Sequence, residues 1–198
     1  MDIYLKDKLR KNMLHQRKNM DMKNIIDFSN KIIGTIIELH EFINSKNIML
    51  YLSFNNEVNT YPLVTLCLDN DKTVIAPYCI HAQRKIIPYK INDLTTDLII
   101  STFGVMEPKH DLLQEAKTED IDLIIVPGVV FDKHCNRIGF GAGYYDRFLP
   151  QKSKTTHTIG IAYDYQIVDE IPTGEYDVPL DFIITEKRII FPKYQIDL

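Results

Sequence analysis

The segment IDLIIVPG, residues 121–128, constrains the fold more than any other stretch of the chain. It is apolar at successive positions and stops at Pro-Gly. That is the pattern of a parallel strand buried on both faces, not of an antiparallel strand with one wet face. HTIGIAY (157–163) and DFIITEKRII (181–190) repeat it, and NIMLYLSF (47–54) reads as another buried strand. KTVIAPYCI (72–80) and RKIIPYKI (84–91) add two more. Helical signals lie around them. Leu5, Leu9 and Met13 recur every fourth position, and Ile25, Ile32, Ile36 and Leu39 mark one face of a helix over roughly 21–44. Residues 60–69 read as a further helix. Strands mixed with helices predict an α/β fold, a three-layer sandwich with a largely parallel central sheet flanked by helices. The 198 residues are expected to form one domain. Ligands of such sheets collect beyond the carboxyl ends of the strands, so a site is expected in the segment after IDLIIVPG, beyond residue 128.

Charge excludes little but directs attention away from nucleic acid. The formal net charge is −4, and a pI near 5.9 gives no general attraction for a polyanion. Cys67, Cys79 and Cys135 are odd in number and form no C-x-x-C pair, which fits a reducing compartment. The six histidines show no zinc-ligand spacing. The first twenty residues lack the apolar core of a signal peptide, and no apolar run reaches membrane-spanning length. Asp2, Asp7 and Asp21, with serine missing from the first twenty residues, argue against a transit peptide. The expectation is a cytoplasmic monomer with no membrane or nucleic-acid partner.

Three of the eight glycines fall within five positions of NRIGFGAGYYDRF (136–148). GVVFDKHCNRIGFG before them reads as a strand, a polar turn and a return strand, and GYYDRFLP as a short helix. Glycines at a helix entrance let backbone N–H groups approach a phosphate, and Arg137 would add a planar charged fork. The spacing Gly139-x-Gly141-x-Gly143 is neither the dinucleotide fingerprint nor the P-loop. Spacing alone leaves a structural turn and an anion site as equal alternatives. Asp146 would repel a phosphate unless a divalent cation bound both, or it simply complements the helix dipole.

VPGVVFDKHCNRIGFGAGYYDRFL resembles the signature of the 5-formyltetrahydrofolate cyclo-ligase family, whose usual form is P-G-x-x-F-D-x-x-G-x-R-L-G-x-G-x-G-Y-Y-D. KDKLR, YLSFNNEVNT, FGVMEP and IGIAYDYQIVDEIPTGEYDVPLDFIITE match the same family in order, so the resemblance spans essentially the whole chain. Cys135 stands where the family usually has glycine, Ala142 where it often has glycine or lysine, and Tyr176 where many members carry histidine.

The resemblance implies ATP-dependent cyclisation of 5-formyltetrahydrofolate to 5,10-methenyltetrahydrofolate, with Mg²⁺ as cofactor and ATP as co-substrate. It implies ATP contacts from Lys6 and Arg10, which lie one helical turn apart, and from the loop. In the loop these are Arg137 and Ile138, then Gly139, Phe140, Gly141, Ala142 and Gly143, then Tyr144 and Tyr145. Tyr144 and Tyr145 also approach the folate, with Leu52 as an apolar wall and Glu57 accepting two pterin N–H groups. Asp146 and Asp181 match the magnesium-associated aspartates, and Arg137 and Tyr145 the catalytic pair. Glu107 falls in a matching stretch with its role open. The competing expectations are a phosphotransferase or sugar-phosphate enzyme on a similar scaffold, or a binding module without turnover.

Overall fold

The computed structural model describes residues 3–101 and 104–192. Phe103, within the FGVMEP stretch, lies outside them. Seven strands form the central sheet: β1 (Asn47–Leu50), β2 (Thr73–Ile80), β3 (Lys85–Ile91), β4 (Leu123–Val126), β5 (His157–Ile161), β6 (Phe182–Ile184) and β7 (Ile189–Ile190). Their order is β7-β6-β5-β4-β1-β2-β3. The five strands β6-β5-β4-β1-β2 run parallel, and the edge strands β7 and β3 are antiparallel. All four residues of β4 are buried, as its uninterrupted apolar sequence requires in a sheet covered on both faces.

Side chains alternate between two cores. Ile48, Leu50, Leu123, Ile125, Ile159 and Ile161 face the helices α2 (Met22–Glu38), α3 (His40–Asn44) and α4 (Tyr61–Asp69). Met49, Ile124, Val126 and Ile183 face Phe131, Cys135, Phe148 and Leu149 on the other side. Ile25, Ile32, Ile33 and Ile36 give α2 its buried stripe, and each fully buried isoleucine contributes about 1.5–3 kcal/mol.

The single helix expected over 21–44 is two. Leu39 adopts extended backbone (φ −73°, ψ 140°) and donates its N–H to Ile36 O, ending α2 before α3 begins. DFIITEKRII likewise is not one strand but the β6–β7 hairpin, turned by Thr185, whose Oγ1 accepts from Lys187 N and Arg188 N.

The expected strand–turn–strand before the glycines forms as Val130–Asp132 and Arg137–Ile138, paired antiparallel. Asp132 organises its turn: the buried carboxylate accepts from His134 N, Asn136 N, Asn136 Nδ2 and Ile171 N. The first helix, α1 (Ile3–Lys18), packs Leu9, Met13 and Leu14 on this small sheet, against Val129, Val130, Ile138 and Ile171. That docking lays α1 along one flank of the carboxyl-end cleft.

Candidate active site

A cleft of about 800 Å³ opens at the carboxyl ends of the parallel strands, where Tyr51 and Leu52 leave β1 and Pro127 and Gly128 leave β4. Lys6 and Arg10 reach it from α1, and residues 137–146 line it from the loop. Gly141 (φ +104°) and Gly143 (φ +69°) occupy backbone that a side chain would strain, and a Cβ on Gly143 would come within 2.7 Å of Arg147 Nη1. Gly143 caps α5 (Tyr144–Phe148), and Arg147 Nη1 donates to Ala142 O and Gly143 O at 2.9 Å each. Arg10 Nε donates to Gly139 O at 2.8 Å, so one basic side chain fixes the loop while its charge stays at the cleft.

Each cation at this end already faces a carboxylate, although Arg137 Nε is buried without a hydrogen-bond partner. Lys6 Nζ lies 2.5 Å from Asp177 Oδ2, Arg137 Nη2 lies 2.7 Å from Asp146 Oδ1, and Arg10 pairs with Asp7. Burial pulls the Arg137 guanidinium down from its ordinary value, and Asp146 opposes that shift. Its face lies over the Tyr145 ring, 5.6 Å from the centroid. Burial also raises the Tyr145 phenol far above its usual range, so it stays protonated, and its buried hydroxyl has no hydrogen-bond partner.

The other end is built by the loop after β1. Thr60 Oγ1 donates to Tyr51 O and accepts from Ser53 N, and Asn55 and Asn56 take left-handed backbone (φ 47° and 60°), a conformation asparagine tolerates. The tightened loop turns Glu57 inward until it is 6% exposed. Its Oε2 accepts from Phe54 N at 3.2 Å, while Oε1 has no hydrogen-bond partner. Burial pushes this carboxyl up to about 7 despite the opposing pull of Arg17 and the Phe54 N–H. Leu52 is buried in the adjacent wall. Glu107 reaches the cleft from the short strand Met106–Pro108, its carboxyl raised by burial. Tyr144 Oη is 2.7 Å from His81 Nδ1 there.

Every residue assigned to ATP or folate from the sequence lines this one cleft. Asp181 does not line it, so the structure does not bring Asp146 and Asp181 together in this cleft. Asp181 sits at the amino end of β6, away from the cleft. Its Oδ2 accepts from Thr158 N (2.7 Å) and Thr158 Oγ1 (3.0 Å), and its own N–H donates to Thr158. This reciprocal cap joins the starts of β5 and β6. Asp177, four residues earlier, is the carboxylate that reaches the cleft beside Asp146. No group of three or more His, Cys, Asp or Glu side chains among the described residues forms a metal cage.

Arg17 escaped sequence reasoning. It lies eleven residues after Lys6 and seven after Arg10 on α1, which places all three within one narrow stripe. That spacing was the available signal.

Comparison with known proteins agrees with this geometry. Residues 3–186 match the model of the 5-formyltetrahydrofolate cyclo-ligase family. The 5-formyltetrahydrofolate cyclo-ligase of Haemophilus influenzae is 33% identical over 73% of this chain and 78% of its own. That of Mycoplasma genitalium is 32% identical over 90% of this chain and 96% of its own. The solved 5,10-methenyltetrahydrofolate synthetase of Aquifex aeolicus superposes with a TM-score of 0.84 at 34% identity, covering 98% of this chain and 96% of that one. The chain belongs to the 5-formyltetrahydrofolate cyclo-ligase family.

Proposed function

We propose that the protein, acting as one domain, converts 5-formyltetrahydrofolate to 5,10-methenyltetrahydrofolate with consumption of ATP. One observation carries this reading: a single cleft presents a cationic glycine loop at one end and a buried, under-bonded carboxylate at the other. The chemical obstacle is the formyl oxygen, a poor leaving group. It attacks the γ-phosphorus of ATP and ADP leaves, giving an iminium phosphate. The neighbouring anilino nitrogen then bonds to the activated carbon, loses its proton, and inorganic phosphate departs. Phosphoryl transfer asks the protein for positioning and charge neutralisation rather than a covalent group.

The loop N–H groups, Lys6 and Arg137 would hold the phosphates. Arg137 would neutralise charge on the transferring group, and the protonated Tyr145 hydroxyl would donate to it. Glu57 would accept the amino and ring N–H of the pterin, against Leu52, with Tyr144 and Tyr145 between the two ligands.

The charge balance bears on the metal. Lys6, Arg10 and Arg137 line the phosphate end with Asp7, Asp146 and Asp177, three positive and three negative groups. A triphosphate entering that balance needs a further cation. Mg²⁺, which takes one or two carboxylates plus substrate phosphates, fits Asp146 and Asp177. When bound it would neutralise phosphate charge. We place the enzyme in the cytoplasm as a monomer. The free, buried or half-buried cysteines support a reducing compartment, and no described helix is long and apolar enough to cross a membrane.

Incubation of the protein with 5-formyltetrahydrofolate, ATP and Mg²⁺ should produce the near-ultraviolet absorbance of the methenyl product. Excess EDTA should abolish it and Mg²⁺ restore it. Absence of product with all three present would remove the reading, and full activity in chelator would remove the metal.

A further inference from the structure

Arg17 has no part in the chemistry above, yet at 2% exposure it is the most deeply buried cation among the described residues. A buried guanidinium is costly unless its charge and donors are matched. Nη1 lies 3.5 Å from Glu57 Oε1, an ion-pair distance without a hydrogen bond to Oε1, and Nη2 is unpartnered. The guanidinium also sits 5.3 Å from the centroid of the Phe140 ring. Phe140 lies between the first two glycines of the loop and packs on Phe54, with ring centroids 5.5 Å apart. Asn56 Nδ2 donates to Arg17 O at 3.1 Å, tying the helix to the turn that carries Glu57. Arg17 therefore backs both the buried carboxylate and the glycine loop, while Glu57 lines the cleft itself.

We propose that Arg17 is a positioning residue that keeps the Glu57 carboxylate ionised and directed into the cleft, and so sets the affinity for the pterin edge of the folate. This rests on the assignment of Glu57 to folate made above. The groups around Glu57 allow few substitutes for Arg17. Phe54 N–H comes from the same turn, and Tyr51, Tyr145 and Tyr163 present phenols whose ionisation is pushed up by burial. Arg17 is the cation that opposes the burial of this carboxyl. With Arg17 in place the carboxyl titrates at about 7. Without it the proton would be held to higher pH, and a protonated carboxyl cannot accept two N–H groups.

The test is the KM for 5-formyltetrahydrofolate and for ATP between about pH 6 and 9, in the parent protein and four variants. Arg17→Gln is expected to raise the folate KM about tenfold at pH 7 with the ATP KM within about twofold, and to recover toward the parent value near pH 9. Arg17→Lys keeps the charge but loses the planar fork. It should retain the parent pH profile with a folate KM raised about two- to fivefold. Arg17→Gln combined with Glu57→Gln should be no worse for folate than Glu57→Gln alone. Three results overturn the proposal: Arg17→Gln with an unchanged folate KM, a loss of equal size at every pH, or a double variant whose defects add. If Arg17→Gln does not fold, Arg17→Lys decides, and parent values for both KM would overturn it. A parent-like folate KM in Glu57→Gln alone would instead remove the folate assignment of Glu57, a failure separate from that of Arg17.

Discussion

At the glycine-loop end of the cleft, Lys6, Arg10 and Arg137 each face an internal carboxylate before any ligand arrives. At the opposite end Glu57 is buried with one oxygen unbonded, and its cation stands 3.5 Å away without a hydrogen bond to that oxygen. At the first end the charges are paired, although Arg137 Nε and the Tyr145 hydroxyl are buried without hydrogen-bond partners, and an entering phosphate would exchange those pairings. The second stores a desolvation cost that a ligand with two adjacent N–H donors would relieve. On the proposed reading, such exchange would make the phosphate end tolerant of small changes in any one pair but dependent on the planar geometry of Arg137. Stored desolvation would make the proposed folate end sensitive to a single proton.

The largest effect expected from this contrast is at Arg137. Arg137→Ala should weaken ATP use by at least about 2 kcal/mol, because it removes a charge-assisted donor and leaves Asp146 facing the phosphates alone. Arg137→Lys should recover part of that loss, since the fork is gone but the charge remains. Steady-state kinetics in ATP check both, and wild-type kinetics in the alanine variant would reduce the loop to a turn.

Next in size is Glu57→Gln, expected to cost about 1–3 kcal/mol in folate binding with ATP nearly unaffected. The amide keeps the volume but sets an NH₂ against a pterin N–H. The same end predicts a pH dependence with a definite sign. The carboxyl titrates at about 7, so the folate KM should rise as pH falls through that value while the ATP KM stays level. A folate KM that is flat from about pH 6 to 8 would contradict it.

Gly141→Ala should be smaller, about 1–2 kcal/mol of stability, because φ +104° lies outside even the left-handed region that other residues visit. Thermal unfolding measures it, and an unchanged Tm would contradict the strain.

The smallest effect is expected at Cys135, which also holds a left-handed backbone (φ 62°) but lies outside the cleft. Cys135→Gly would relieve about 1 kcal/mol of strain and lose a comparable amount from the buried thiol, whose Sγ reaches Ile190 O at 3.3 Å. Stability within about 1 kcal/mol of the parent and unchanged turnover are expected.

The two ends also differ in how far they could be read from residues alone. The sheet was legible because β4 and its neighbours are apolar at successive positions, which only burial on both faces tolerates. The glycine loop was legible because its strand–turn–strand–helix context is local. Family resemblance singled out Glu57, but its burial was not legible, since the inward turn depends on Thr60, Asn55 and Asn56 acting together across the loop. The break at Leu39 was hidden because the apolar spacing runs on through it. That Asp177 rather than Asp181 lines the cleft was hidden, because only the strand direction decides which of two aspartates four residues apart meets it. The positive φ at Cys135 was hidden too: the turn after Asp132 holds a backbone there that glycine would adopt without strain.

The division of the cleft into a nucleotide end and a folate end is tested most directly by equilibrium titration of ATP with Mg²⁺, and separately of 5-formyltetrahydrofolate, against Arg137→Ala and Glu57→Gln. The account predicts a crossover: Arg137→Ala loses ATP by about thirtyfold or more and holds folate near the parent affinity, while Glu57→Gln loses folate by about fivefold or more and holds ATP. Equal losses of both ligands in both variants, or Glu57→Gln binding folate like the parent protein, would contradict it.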